Sequence, residues 1–582
     1  MNHLSSLPTE LLQTISAEAT FADLKSLRLV CKTFASLLQA EVLHRLVISI
    51  HGANIGQGLD VLEFLANADS GVHAANTATK QLDICSISTT GWHDYGSAEA
   101  DEYERRLKEC LVPALQSLGH VKVLSLNYAF TNSDWISAAV FGCIKSMIPS
   151  LHGLHVSNIN LCANYCTTHP EVLSILSDPQ LRGLTSYAIA TTGDVANEDL
   201  VSSLTSIAAN ILATSSTTLE IFTLDIPAAH LWSSSTPPGT FQTLLGQKTT
   251  TLTHLTLDNG FVSQIRSTTP VLPQFSSLTH LSCPTRFQYR HRVDDTLTKS
   301  KPIRNESEFG FWQALTNTRV RLHSLKDATA SREMLAYLSS YSAELQELQI
   351  ILYHSRDEAA AQQEMGEDLW SRVITLHRPS LRSLHISSNC RGWWFFGPHT
   401  HDYFKSHPFP LLQELKICVE SKFKSIVSQT RPEDYVNDLL DQIVQPELFP
   451  SLTQLIVAFP PPPGVPHVRY GPAKRIMRRE KSKILAQKFK LPGPSRSVVG
   501  PDSLQSPEHA QHPSTGSIAH IPTVVALDCR TSQRYRPCTP TSDGWWQYKH
   551  AGIEDVAAGP TFRIPSEHPV YPKTRFTARL PR

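Results

Sequence analysis

The chain reads as an α/β protein in three parts: a short helical module at its N-terminus, an irregular solenoid with parallel strands on one face and helices on the other, and a largely disordered C-terminal tail. Three observations carry this reading. Apolar residues recur at helical spacing through the first forty positions. The unit Leu-x-x-Leu-x-Leu then returns again and again over several hundred residues. Beyond Phe459 the composition turns to Pro, Gly, Ser and His, which cannot repay the entropy of ordering by burial.

The first module opens at Leu7-Pro8, where proline is tolerated because a helix's first turn has no use for its missing N–H. Leu7, Leu11, Leu12 and Ile15 lie on one stripe, and Leu24, Leu27, Val30, Cys31, Phe34 and Leu38 on a second, with Lys25, Arg28 and Lys32 off it. So small a pair of amphipathic helices cannot bury its stripes alone. It must pack either on the next part of the chain, as the first layer of a repeat, or on a partner.

The series Leu7, Pro8, Glu10, Leu11, Leu12, Ile15, Leu24, Leu27, Leu29, Val30, Cys31, Lys32 and Phe34 resembles the F-box, with Phe34 standing where many members carry Trp or Tyr. The resemblance implies a boundary near residue 45. It also implies a Skp-type adaptor of a cullin–RING ubiquitin ligase as partner, contacted through Leu7, Pro8, Leu11, Leu12, Ile15, Leu27, Val30 and Cys31.

Residues 46–80 are expected as a linker or capping layer and 81–460 as the repeat array. Clear copies of the unit are Leu252, Leu255, Leu257; Leu345, Leu348, Ile350; Leu381, Leu384, Ile386; Leu412, Leu415, Ile417; and Leu452, Leu455, Val457. Weaker copies begin at Val121, Leu151, Leu219 and Leu278, and Leu181–Leu184 and Leu322–Leu325 are partial. Alternation at the end of each unit suits a short strand with one buried face. Helical patterns lie between, at 103–118, 199–212, 358–376 and 435–444. No unit buries a core alone, so neighbours must stack. The array resembles degenerate leucine-rich repeats, with anchors from about 23 to about 44 residues apart against a familiar range of about 20–29. An F-box joined to such repeats is a pairing familiar in filamentous fungi. A single α/β domain with leucine-rich parallel strands is the competing reading.

The 52 basic and 52 acidic side chains cancel, so overall charge points to no nucleic-acid partner. The basic run within 469–490 reads either as a solvated face or as a localisation or nucleic-acid patch. It falls in an expected disordered linker, 461–520, ahead of a tail, 521–582, whose aromatic residues show no period. The start lacks a basic-then-apolar leader, no apolar stretch nears the roughly 18 residues of a membrane span, and the 11 cysteines form no paired framework. A soluble chain of the cytoplasm, the nucleus or both is expected, with no membrane partner.

No catalytic motif, cofactor fingerprint or metal set is found. Cys162, Cys166 and His169 are compact but lack a fourth ligand, so no metal is assigned. The aromatic run Trp393, Trp394, Phe395 and Phe396, with His399, His401 and His407 nearby, is expected in a loop or helix projecting from the array. It is the first candidate for holding a target protein, unless it caps the core instead. The segment 259–265 is the second. Three functions stay open: a ligase substrate adaptor without catalysis, a repeat scaffold without a ligase role, and an enzyme with an unrecognised site.

Overall fold

The computed structural model describes most of residues 42–458 apart from several connecting segments, a few positions between 11 and 38, and the backbone of four short strands between 490 and 550. The strands are β1 (Arg45–Ile50), β2 (Gln81–Ile87), β3 (Val123–Asn127), β4 (Gly153–Asn160), β5 (Ser186–Thr192), β6 (Ile221–Asp225), β7 (His254–Leu257), β8 (His280–Ser282), β9 (Ser324–Thr329), β10 (Glu347–Leu352), β11 (Ser383–Ser388), β12 (Phe395–Phe396), β13 (Glu414–Val419), β14 (Gln454–Ala458), β15 (Lys490–Pro492), β16 (Thr523–Asp528), β17 (Thr531–Pro540) and β18 (Trp545–His550). Between them run α1 (Ile55–Ala66), α2 (Ser97–Ser117), α3 (Asp134–Met147), α4 (Pro170–Leu176), α5 (Glu198–Thr214), α6 (Glu308–Asn317), α7 (Arg332–Leu338), α8 (Ala359–Asp368, continued by a π-turn at Leu369–Ile374 and by Thr375–His377), α9 (Pro398–Ser406) and α10 (Tyr435–Ile443). Among the described residues, no helix is long and apolar enough to cross a membrane.

From β1 to β14 each strand lies parallel to the next in chain order, the two-residue β12 being an insertion beside β13. A doubly wound domain reverses its strand order part-way; this sheet never does, in keeping with stacked repeats. The register shows why the sequence unit recurs. Leu82, Leu124, Leu154, Tyr187, Phe222, Leu255, Leu281, Leu325, Leu348, Leu384, Leu415 and Leu455 stand side by side on successive strands. All are buried in one continuous core with the apolar faces of the helices.

A second device stitches the units together. From His44 to Gln413, one carbonyl per unit accepts the N–H groups of two successive residues of the next, as when Lys122 O binds His152 N at 2.6 Å and Gly153 N at 2.9 Å. Backbone groups at the strand entrances are thereby satisfied by other backbone groups, whatever side chains stand there.

Local chemistry sets the helix ends. Ser331 caps α7 by accepting from Met334 N at 3.2 Å. The π-turn in α8 buries Leu369, Trp370, Val373 and Ile374, and the Thr375 hydroxyl satisfies the Trp370 carbonyl at 2.9 Å.

The segment expected as a linker or capping layer is a full strand–helix unit, β1 and α1, in parallel register with β2. At the other end, β16 adds to β14 in parallel, and β17, β18 and β15 continue antiparallel. Residues 490–492 are therefore strand inside the expected disordered linker, and the expected tail holds three strands.

Candidate interaction surfaces

Leu12, Leu38 and Val42 are buried together, with Leu24 and Leu27 packed against them, in a cluster separate from the array core. Next to Val42, Leu43 packs on the array core, its carbonyl accepts from Thr79 Oγ1 at 3.0 Å, and His44 O holds Lys80 and Gln81. Two adjacent residues thus belong to two different cores, which ties the end of the module to the first unit of the array. Among the described residues of the module, three apolar side chains point to solvent: Leu11 is 50% exposed, Leu29 85% and Val30 60%. Leu29 and Val30 sit on a turn closed by bonds to Ser26 O and Leu27 O, both 3.0 Å.

Of the residues expected to contact an adaptor, Leu11 and Val30 are therefore outward, whereas Leu12 and Leu27 serve the module's own core. Leu7, Pro8, Ile15 and Cys31 lie outside the described residues. Leu29 is outward too, although it is not among the expected contacts. Its place beside Val30 is the sequence signal that marks it.

The array's second surface is the strand face opposite the core. Along β1–β5 it carries a polar network. Arg45 and Asp83 pair at 2.5 Å, Gln81 donates to Asp83 at 3.0 Å, and His155 lies between the Ser125 and Ser186 hydroxyls at 3.5 and 3.1 Å. Burial lowers the His155 pKa. Gly153 leaves room for this arrangement, since a Cβ there would come within 2.3 Å of Ser186 Oγ and displace the hydroxyl. Across β9–β13 the same face is a charged zipper: Lys326–Glu347 at 2.7 Å and His385–Glu414 at 3.0 Å, with Lys416 two residues beyond Glu414 on β13. A bulge in β9 turns Asp327 to a φ of 55°, where Gln349 donates to it. Burial raises the Asp327 pKa against the pull of Lys416 and Lys326. The His385 hydrogen bond, the largest cause, lowers that of Glu414.

The aromatic run corrects the sequence reading. Trp394, Phe395 and Phe396 are fully buried and Trp393 is partly buried against the core, so the run caps the core rather than projecting from it. Trp370 Nε1 donates to Trp393 O at 2.6 Å, and Trp394 Nε1 to Gln362 O at 2.8 Å. Phe396, Phe404, Phe409 and Phe449 continue the knot with ring spacings of 5.5–5.8 Å. Gly392, at φ 83°, makes the turn into it, and Gly366 permits the approach, since a Cβ there would meet Trp393 at 2.6 Å. His399 is exposed at its edge.

Cys162, Cys166, His169, nearly all of 259–265 and the basic run within 469–489 lie outside the described residues. Among the described residues, no cluster of three or more His, Cys, Asp or Glu side chains could hold a metal.

No curated protein matches the chain. Among solved structures, the crystal structure of the Rad7 and Elc1 complex in yeast aligns over 77% of this chain and 86% of that one, with 14% identity and a TM-score of 0.35. A likeness of that degree carries no inference. The family model of the F-box domain matches residues 4–46, which takes in the small core of Leu12, Leu38 and Val42 and the outward Leu11, Leu29 and Val30. The chain thus carries an F-box domain at residues 4–46, set directly ahead of a parallel strand–helix array.

Proposed function

We propose that this protein is the substrate-recognition adaptor of an SCF-type cullin–RING ubiquitin ligase. The F-box binds a Skp-type adaptor, and the array holds a target protein. The observation that carries the reading is the F-box match at residues 4–46, together with the apolar Leu11, Leu29 and Val30 left facing solvent. Three large apolar side chains on so small a module are costly without a partner. Leu7, Pro8, Ile15 and Cys31 complete the contact, and Leu12 and Leu27 hold its shape from beneath.

The polar strand face, from the Arg45–Asp83 pair to the charged zipper of β9–β13, is the surface offered to the target. The protein performs no bond chemistry and needs no cofactor. It raises the effective concentration of the target at the ubiquitin-charged enzyme, and the joint at Val42–His44 keeps the two at a set orientation. The site of action is the cytoplasm, the nucleus or both.

The test is capture of purified Skp-type adaptor by the full chain and by a Leu11→Arg/Val30→Arg variant. Capture by the parent and its loss in a folded variant support the reading. No capture by the parent rejects it and leaves a repeat scaffold without a ligase role.

A further inference from the structure

Midway along the array, at the first outward position of two adjacent strands, His254 of β7 and His280 of β8 stand in register. Their rings stack at 4.0 Å between centroids and 12° between planes. Each comes directly after a threonine that treats it identically. Thr253 Oγ1 lies 2.9 Å from His254 Nδ1 and 3.2 Å from Glu220 O. Thr279 Oγ1 lies 2.8 Å from His280 Nδ1 and 3.2 Å from Thr253 O. A threonine has one hydroxyl proton. Given to the carbonyl, it leaves the oxygen to accept from Nδ1–H, so in the neutral form each ring carries its proton on Nδ1 and Nε2 is the place for a further one.

Two protons on this pair would set like charges ring against ring. The charged and titratable neighbours offset them only in part. Glu220 faces His254 from the entrance of β6, and Lys326 faces it from β9. His280 meets His254, Glu347 of β10, His323 and Lys326. Glu347 is already paired with Lys326, and among the described residues neither imidazole has a carboxylate partner. Burial favours the neutral form of both rings.

The strands concerned are the shortest of the continuous ladder, four residues in β7 and three in β8. They have the fewest ladder hydrogen bonds to lose, and such places open first. An open joint frees both rings to take up protons at their ordinary affinity, so acid pulls the equilibrium toward opening.

We propose that the stacked His254–His280 pair makes the β7–β8 step an acid-sensitive joint, at which the array loosens into two arms when the imidazoles are protonated. The inference does not depend on adaptor binding.

Amide hydrogen exchange of the full chain at about pH 7.5 and about pH 5.5, corrected for intrinsic rates, tests it. The reference is β13–β14, whose strands carry no histidine. Opening at β7–β8 should rise with acid by more than about tenfold over the reference, with a ceiling of about a hundredfold per pH unit for two protons. His254→Phe with His280→Phe keeps a ring stack that cannot titrate, and should abolish that excess. Should the double variant not fold, His280→Asn alone should reduce the excess by about tenfold or more. An acid response at β7–β8 no larger than at β13–β14, or one that survives in the non-titrating variants, overturns the proposal.

Discussion

The F-box module and the array bury their apolar residues on very different scales. The array shares one core from Ile48 to Val457; the described part of the module closes on Leu12, Leu38 and Val42. At roughly 1.5–3 kcal/mol for each fully buried aliphatic side chain, those three described residues contribute little beside the array core, in which every strand from β2 to β11 has a neighbour on both sides. The module also leaves Leu11, Leu29 and Val30 in water, while the array's outward strand positions are mostly polar and hydrogen-bonded. The difference teaches that the array stands on its own packing, whereas the described part of the module leaves apolar side chains uncovered, as the proposed docking role requires.

The largest effect that would test this contrast is in the aromatic knot. Trp370→Ala should cost about 3–5 kcal/mol, read as a lower urea midpoint of the main transition. Adaptor capture should persist wherever the variant is still folded. Capture that falls in step with array stability would mean that the two cores are one. Next, Leu12→Ala should remove about 2–5 kcal/mol from the module. Adaptor capture should then be lost while the array's thermal transition stays in place.

Acid should act chiefly on the array. His377 is buried with Nε2 2.8 Å from Leu338 O, and burial lowers its pKa from the ordinary 6.5. Unfolded chains therefore take up the proton first, and stability present above about pH 6.5 declines as pH falls. Urea midpoints for the parent should drop between about pH 7 and about pH 5.5, and His377→Gln should flatten part of that decline. The smallest effect on stability belongs to Leu29→Arg, which should stay within about 0.5 kcal/mol while weakening adaptor capture. A large loss of stability would place Leu29 inside a core rather than on a docking face.

Much of the array is legible in the sequence. The helices expected at 199–212 and 435–444 are α5 and α10 within two residues at either end, and the anchors from Leu252 to Val457 that the repeat unit marks are buried. The misses have local causes. Just ahead of β2 the first anchor of the unit is Thr79, buried with its hydroxyl donating to Leu43 O, so no leucine opens the unit. In β5 the true anchors are Leu184, Tyr187 and Ile189; Leu181–Leu184 shares the spacing one step out of frame. In β9 the bulge moves the third anchor to Ala328, a spacing that alternation cannot foresee.

By itself, the sequence determined the period of the fold. Apolar spacing dictates which residues turn inward, and a parallel strand–helix unit is the way such spacing buries them repeatedly. It also marked the F-box, whose pattern of Leu, Pro, Val and Cys is local. Only the tertiary structure decided which apolar residues are exposed. Leu12 and Leu11 are neighbours of the same type with opposite fates, and Trp394 to Phe396 read like a binding surface yet lie in the core. Burial depends on residues far away in the chain, on Leu38 and Val42 in one case and on Gly366 and Gln362 in the other, and nothing in a local pattern carries that distance.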